Sequence, residues 1–239
     1  MLIIFCGMGF SSCEDDECLK GSGDFSRETR QITEAFSSIE INDNLNVDIY
    51  IDGSNYLEIE GGENVISHVK SYVAEKTLKL ENNNSCNFLR NFDQDLKLKL
   101  HLKTLSSLYY NGSGTVVMKD TAKVDQFYFF ADQGTGSLRL LVKCHRIDAS
   151  LKGGLTDIEL IGDAYTSFIY LSESCVVNSK AFITEVSDIY NESTGDCTVN
   201  ATVRLNGYIL RIGNIVYLGH PDIHYYITTG EGKFMPYSP

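Results

Sequence analysis

Five aspartates stand in the second half of this 239-residue chain where acid chemistry could be asked of them: Asp125, Asp148, Asp157, Asp188 and Asp196. Cleavage of a sugar chain needs paired carboxylates about 5 to 9.5 Å apart, or a carboxylate beside a cation. Measured against the repeat described below, Asp125, Asp148 and Asp188 fall at unlike offsets. Asp157 and Asp196 share one, two repeats apart, which stacked strands would convert to about 9.6 Å. Polar residues beside turns are ordinary, so this pair is weak as a catalytic set. No nucleophile elbow and no phosphate-binding loop occurs. The five histidines are dispersed, and Pro221 separates His220 from His224. No spacing offers the four converging ligands of a zinc site, so neither a metal nor a cofactor is expected. The chain reads as a non-enzyme. Its alternative reading is a carbohydrate-active β-helix enzyme, a polysaccharide lyase or hydrolase, which a deep groove lined by acids and a cation would favour.

The elements that would position such residues are strands. Tyr and Phe are abundant (14 and 12), Pro is scarce (3), and long helical-period stretches are missing. That composition favours an all-β chain. The formal net charge of -12 leaves no basic footprint for nucleic acid and disfavours adsorption to anionic bilayers. Seven cysteines without a C-x-x-C are too scattered for a disulfide framework.

The first ten residues, "MLIIFCGMGF", are too short to span a bilayer but fit the apolar core of a signal peptide. Ser11-Ser12 then precede Cys13, and "EDDE" follows. This resembles the lipobox and acidic export signal of bacterial, Bacteroidetes-type lipoproteins. The resemblance implies cleavage before Cys13, acyl chains on it, and an acidic, solvated tether over residues 13–36. No Lys or Arg precedes the apolar run, so the natural start is expected upstream of this leader (1–12).

In residues 37–104 the period becomes two. "NVDIYIDGSNYLEIEGG" reads as a hairpin turning at "DGSN", "ENVISHV" as one helical turn, and "SYVAEKTLKLENN" as a second hairpin. "DLKLKLHLKTL" is the clearest strand, with Leu96, Leu98, Leu100 and Leu102 on one face and a Lys-rich stripe on the other. The stripe reads as a solvated face that guards an edge.

Over residues 105–239 a Gly/Ser/Thr-rich step recurs at about twenty residues, at Gly114, Gly136, Thr156, Ser174, Gly195, Gly213 and Gly232. Two places later stand Val116, Leu138, Ile158, Val176, Cys197, Ile215 and Phe234, all apolar. The place between is mostly polar and includes Cys175. Five places before stand Tyr109, Ala131, Leu151, Ile169, Tyr190, Tyr208 and Ile227, again apolar. Units this short bury a face only by stacking, so the fold is expected to be a β-solenoid, right-handed and parallel β-helix-like, with an N-terminal hairpin-rich section. Gly112, Gly114, Gly134, Gly136, Gly195, Gly213 and Gly232 are expected to supply positive-φ corners. This register puts Cys197 in the core and Cys175 in solvent, leaving two free thiols. It also puts Tyr110 and Tyr170 in a solvent-facing column, where a flat amphipathic ring could contact a sugar or protein.

The repeated "GSG" steps, the front half "VDIYIDG…LEIEGGENVISHV" and the closing "GNIVYLGHPDIHYYITTGEGKF" resemble the "putative auto-transporter adhesin, head GIN domain" family, DUF2807. "SES" and "KGGLT" depart from its Gly-Ser-Gly pattern. The resemblance implies a secreted or lipid-anchored cell-envelope protein. The expected function is therefore a surface-exposed outer-membrane lipoprotein, acting as a binding, adhesion or structural module. Its expected partners are a glycan or protein ligand, and the membrane through the anchor only. Nucleic acid is excluded, and a homo-oligomer is left open.

Overall fold

The computed structural model describes residues 21–84 and 96–238. The leader, Cys13 and the start of the tether lie outside them. The described chain forms β1 (Phe25–Gln31), β2 (Ser38–Asp43), β3 (Asn46–Ile51), β4 (Tyr56–Gly62), α1 (Glu63–Ile66), β5 (Val69–Ala74), β6 (Thr77–Asn82) and β7 (Lys97–Leu102). The shorter strands β8 (Ser107–Gly112), β9 (Thr115–Met118), β10 (Ala122–Lys123) and β11 (Gln126–Asp132) follow. Four long bent strands come next: β12 (Ser137–Lys152), β13 (Asp157–Glu173), β14 (Val176–Ser193) and β15 (Cys197–Ile209). The chain closes with β16 (Ile215–Leu218), β17 (Asp222–Thr228) and β18 (Phe234–Pro236).

These strands stack into a β-solenoid with two principal walls. In the first wall β6, β2, β8, β11, the later halves of β12 to β15, and β17 lie parallel in that spatial order. In the second wall the order is β7, β3, β9, the earlier parts of β12 to β15, β16 and β18. Between the walls the long strands bend, and their ladders shift register there, between Glu159 and Ile161 where β13 meets β14 and between Asn178 and Ile183 where β14 meets β15. One inward column of the first wall runs Leu80, Ile41, Tyr110, Ala131, Leu151, Leu171, Asn191, Ile209. One inward column of the second runs Leu98, Val47, Val116, Leu138, Ile158, Val177, Cys197, Ile215. All sixteen are buried. Each aliphatic member contributes roughly 1.5–3 kcal/mol by leaving water, a gain that no rung could secure alone.

The N-terminal part departs from expectation in three ways. First, the strands flanking "DGSN" are present but do not form a hairpin, because β7 lies between them, parallel to β3 and antiparallel to β4. Alternation fixes which side chains face the core, not which strand lies alongside. The neighbours match by charge: Lys97 and Lys99 stand opposite Glu60 and Glu58, and the Lys99 ammonium donates to Glu60 at 2.7 Å. Second, the Lys stripe therefore guards no edge. It belongs to an interior strand, and His101 on the same face is stacked between Tyr50 and Tyr56, with ring centroids 4.7 and 4.2 Å away. Third, part of the expected tether is ordered as β1, which pairs antiparallel with β4. Arg27 pairs with Glu60, and the Arg30 guanidinium donates to the Val69 carbonyl at 2.7 Å. The helical turn α1 and the β5–β6 hairpin form where the sequence places them.

Two of the strands in the 37–104 section build rungs out of chain order. β2–β3 lies between β6–β7 and β8–β9, so a rung formed later in sequence sits beneath an earlier one. The antiparallel strands β5, β4 and β1 cover that end of the stack.

The marker glycines act differently from expectation. None of Gly112, Gly114, Gly134, Gly136, Gly195, Gly213 and Gly232 has positive φ. They are required for close approach. A Cβ on Gly136 would land on the Gly114 carbonyl and the Tyr110 hydroxyl, and one on Gly213 would land on the Gly195 carbonyl. Gly114, Gly195 and Gly232 likewise abut the carbonyl of the rung below. Positive φ falls instead at the end of the first-wall strands, at Asp43, Gln133, Gly153 and Glu173.

Candidate ligand-binding face

The repeat's register decides which aromatic rings are available. The pairing equates Ile158 with Val177, and Val177 with Cys197. Cys175, not Ser174, is therefore the marker of its unit. Cys175 is buried with Cys197, and its Sγ approaches the Gly153 carbonyl at 3.5 Å. Both cysteines are free, as the sequence leads one to expect, but the expected exposure of Cys175 is wrong. Burial pushes both thiols up.

Tyr110 is a second correction. It is fully buried, and its hydroxyl donates to the Gly114 carbonyl at 2.6 Å, so no ligand can reach it. Burial pushes its phenol up to about 12. Asn191, in the same inward column, does the same work with its amide: Nδ2 donates to the Gly195 carbonyl at 3.1 Å and to that of Asn214 at 3.0 Å. Corner length explains the misplacement of Tyr110. From Tyr110 to Val116, the paired inward positions, is six residues; from Ala131 to Leu138 and Leu151 to Ile158 it is seven; later it is six again. A fixed offset from the marker therefore lands on opposite faces in different rungs.

With the register corrected, the outside of the first wall carries two neighbouring columns. One runs Tyr109, Phe130, Ser150, Tyr170, Tyr190, Tyr208, Ile227. The other runs Ser107, Tyr128, Asp148, Phe168, Asp188, Asn206, Tyr225. Tyr170 is the one aromatic of the two sequence candidates that belongs here, half-buried, its hydroxyl donating to Glu192 at 2.6 Å. That bond raises its phenol. Tyr190 and Tyr208 stack at 4.2 Å, and Tyr225 meets Tyr208 edge-on at 5.5 Å. A hydrogen bond with Tyr208 raises the phenol of Tyr190 and, with desolvation, pushes that of Tyr225 up to about 12.

Polar groups punctuate the rings. Arg146 forks onto Asp148 with bonds of 2.8 and 2.6 Å, and the Asn206 amide donates to Asp188 at 2.5 Å. The Lys152 ammonium stands 5.5 Å above the Phe130 ring centre. Where Ser150 interrupts the aromatic column, a shallow depression of about 430 Å³ opens between Ser107, Tyr109, Tyr128, Phe130 and Asp148. The remaining acids do not converge on it. Asp125 is exposed at the start of β11, and Asp157 and Asp196 lie on the outside of the second wall with Val176 between them. Asp148 and Asp188 share a column, but Phe168 stands between them. Among the described residues no three His, Cys, Asp or Glu side chains cluster as metal ligands.

Tyr109, Tyr128, Phe130, Phe168, Tyr190 and Tyr208 were missed as surface residues by the sequence analysis. An i, i+2 pair of rings such as Tyr128/Phe130 or Phe168/Tyr170 marks one face of a strand but not which one, since Phe127 and Phe129 in the same strand form such a pair and are buried.

Stacked parallel rungs with a hydrogen-bonded inner corner define the molecule as a β-solenoid. The chain belongs to the family described as "putative auto-transporter adhesin, head GIN domain" (DUF2807), which matches residues 35–221. It is similar in structure to a "putative adhesin" of Bacteroides fragilis, at 21% identity and a TM-score of 0.81, covering 90% of this chain and 97% of that one. A "putative lipid binding protein" of Parabacteroides distasonis aligns at 19% identity and a TM-score of 0.69, covering 91% and 98%. A "putative adhesin" of Parabacteroides merdae aligns at 15% and 0.69, with the same coverages. No curated protein matches.

Proposed function

We propose that this chain is a binding module of the bacterial cell envelope, held by acyl chains on Cys13 and engaging its ligand through the outer face of the first wall. It works without catalysis. The observation that supports this reading most is the double column of aromatic rings, which the fold does not need for its core. The names of the similar proteins point the same way, to adhesion and lipid binding rather than chemistry. The carboxylates of the face are engaged by Arg146 and Asn206 and are separated by Phe168, an arrangement suited to holding a ligand rather than to cleaving one. The leader and "EDDE" supply the address: an outer-membrane lipoprotein exposed at the surface.

Two experiments test the reading. Full-length protein is adsorbed to beads and scored for capture by host-cell and bacterial surfaces. Tyr109→Ala with Tyr128→Ala should abolish capture, whereas Glu159→Gln on the second wall should not. Equal capture by all three proteins defeats the reading. Metabolic labelling with palmitate should mark wild type and not Cys13→Ala; equal label in both removes the anchor.

A further inference from the structure

We infer that the first wall binds a neutral, hydroxyl-rich glycan, seated across the depression at Ser150; this rests on the binding role proposed above. The inference begins with the grain of the surface. In one column a hydroxyl at Ser150 separates the rings of Phe130 and Tyr170; in the next, Asp148 separates Tyr128 from Phe168, and Asp188 follows Phe168. In the second column ring and hydrogen-bonding group thus alternate from rung to rung between Ser107 and Asp188, while in the first Ser150 breaks the rings once, and Tyr170, Tyr190 and Tyr208 then run on unbroken. Strands stack about 4.8 Å apart, so the alternation in the second column repeats every two rungs, about 9.6 Å. A pyranose has the matching grain: a C–H face that packs on an aromatic ring and hydroxyls at its rim. An apolar protein patch calls for contiguous apolar area instead.

The polar partners suit hydroxyls. The Arg146 fork orients the Asp148 carboxylate and leaves lone pairs for O–H donors, while Ser107 and Ser150 can each donate and accept. Tyr109 and Tyr128, 39% and 43% exposed, offer their rings at the rim of the depression. Charge selects the class of glycan. Arg146 and Lys152 stand on this face too, but Arg146 is taken up by Asp148, and Asp188 and Glu192 outweigh Lys152 on a molecule of net charge -12, which disfavours uronic-acid or sulfated chains. The depression is open along the wall, so the site would take an internal stretch of a polymer rather than only its end.

The test is titration of full-length protein, by calorimetry and intrinsic tyrosine fluorescence, with four neutral hexaoses (cello-, xylo-, manno- and malto-) and with a hexamer of galacturonic acid. At least one neutral hexaose should bind and the acidic hexamer should not. Affinity should fall about tenfold or more in Tyr109→Ala and in Tyr128→Ala, equivalent to about 1.4 kcal/mol each. Tyr128→Phe, which keeps the ring and serves as a variant less prone to misfold, should bind within about threefold of wild type, roughly 0.7 kcal/mol. Glu159→Gln should not change affinity. Failure of all four neutral hexaoses, or preference for the acidic one, overturns the glycan. If at the same time the protein still captures enzymatically deglycosylated cells in a manner that needs Tyr109 and Tyr128, the ligand is a protein and the binding role stands. If that capture ignores both tyrosines, the binding role fails as well.

Discussion

The two walls are made of the same rungs, with the same parallel ladders and equally buried inner columns, yet their outsides differ in kind. On the second wall the outer side chains serve the stack itself. Asn214 donates its backbone N–H and its amide to Asp196, each at 2.8 Å, and Asn214 in turn accepts from the Lys233 N–H at 2.8 Å. Near the other end of the same wall, Asn46 accepts from the Thr115 N–H at 3.0 Å. Arg139 and Glu159 pair across neighbouring rungs. On the first wall rings predominate among the outer side chains, and Tyr109, Phe168, Tyr190, Tyr208 and Tyr225 each meet another ring. Such contacts add about 0.5–1.5 kcal/mol per pair, less than the same rings would give if buried. The difference teaches that ladder and core set the inner columns, while an outer column is free to serve either the stack or a ligand.

That contrast can be broken or sharpened by substitution. The largest effect is expected inside the second wall: Ile158→Asp would bury an unpaired carboxylate in a side chain position 2% exposed and should cost about 4 kcal/mol or prevent folding, whereas neighbouring Asp157→Ala should cost well under about 1 kcal/mol. Denaturant melts of the two variants check the order; the reverse order would displace the whole register. Next comes Gly136→Ala, whose new Cβ collides with the Gly114 carbonyl and the Tyr110 hydroxyl. It should lose about 2–3 kcal/mol although its φ is ordinary. A neutral melt would mean that the corner yields and that close packing there is not required.

Tyr110→Phe separates core from face. It removes the buried bond to Gly114 and should cost about 1–2 kcal/mol. It also carries a pH signature. Burial raises the folded-state phenol to about 12 from an ordinary value of 10.0, so its stabilisation is complete below pH 10 and lost as pH rises towards 12. Melts of wild type should therefore fall more steeply across that window than melts of Tyr110→Phe. On the face, Tyr208→Ala should cost about 1 kcal/mol, since the ring stacks on Tyr190 but fills no core; a loss of 3 kcal/mol or more would put Tyr208 back inside. The smallest expected effect is chemical. Native protein treated with a thiol reagent at neutral pH should leave Cys175 and Cys197 unmodified, and half-buried Cys144, raised to about 11 mainly by burial, should react slowly. Rapid labelling of Cys175 would restore the solvent-facing register.

Much of this was legible before any coordinates. The Gly/Ser/Thr steps near every twentieth residue announce a stack, and Val116, Leu138, Ile158, Cys197 and Ile215 turn inward as the period requires. One unit slipped, because "SES" offers Ser174 where Cys175 occupies the glycine's place. The first wall was read one residue off in several rungs, and so the binding face was half hidden: Tyr190 and Tyr208 were read as core and Tyr110 as surface. An aromatic side chain satisfies an apolar column on either side of a strand. Only the count of residues around the corner tells which, and that count changes between rungs.

The sequence by itself determined the class of element, the repeat, the acidic character and the absence of a helix-borne core, because each follows from local periodicity and composition. Only the tertiary structure decided what depends on distant partners. It put β7 between β3 and β4, because cross-strand pairing is chosen by registry of Leu faces and opposite charges far apart in the chain. It gave the marker glycines their purpose, because the carbonyl that excludes a Cβ belongs to the neighbouring rung. And it gathered the rings of six rungs onto one wall, because parallel stacking converts a position in the repeat into a column in space.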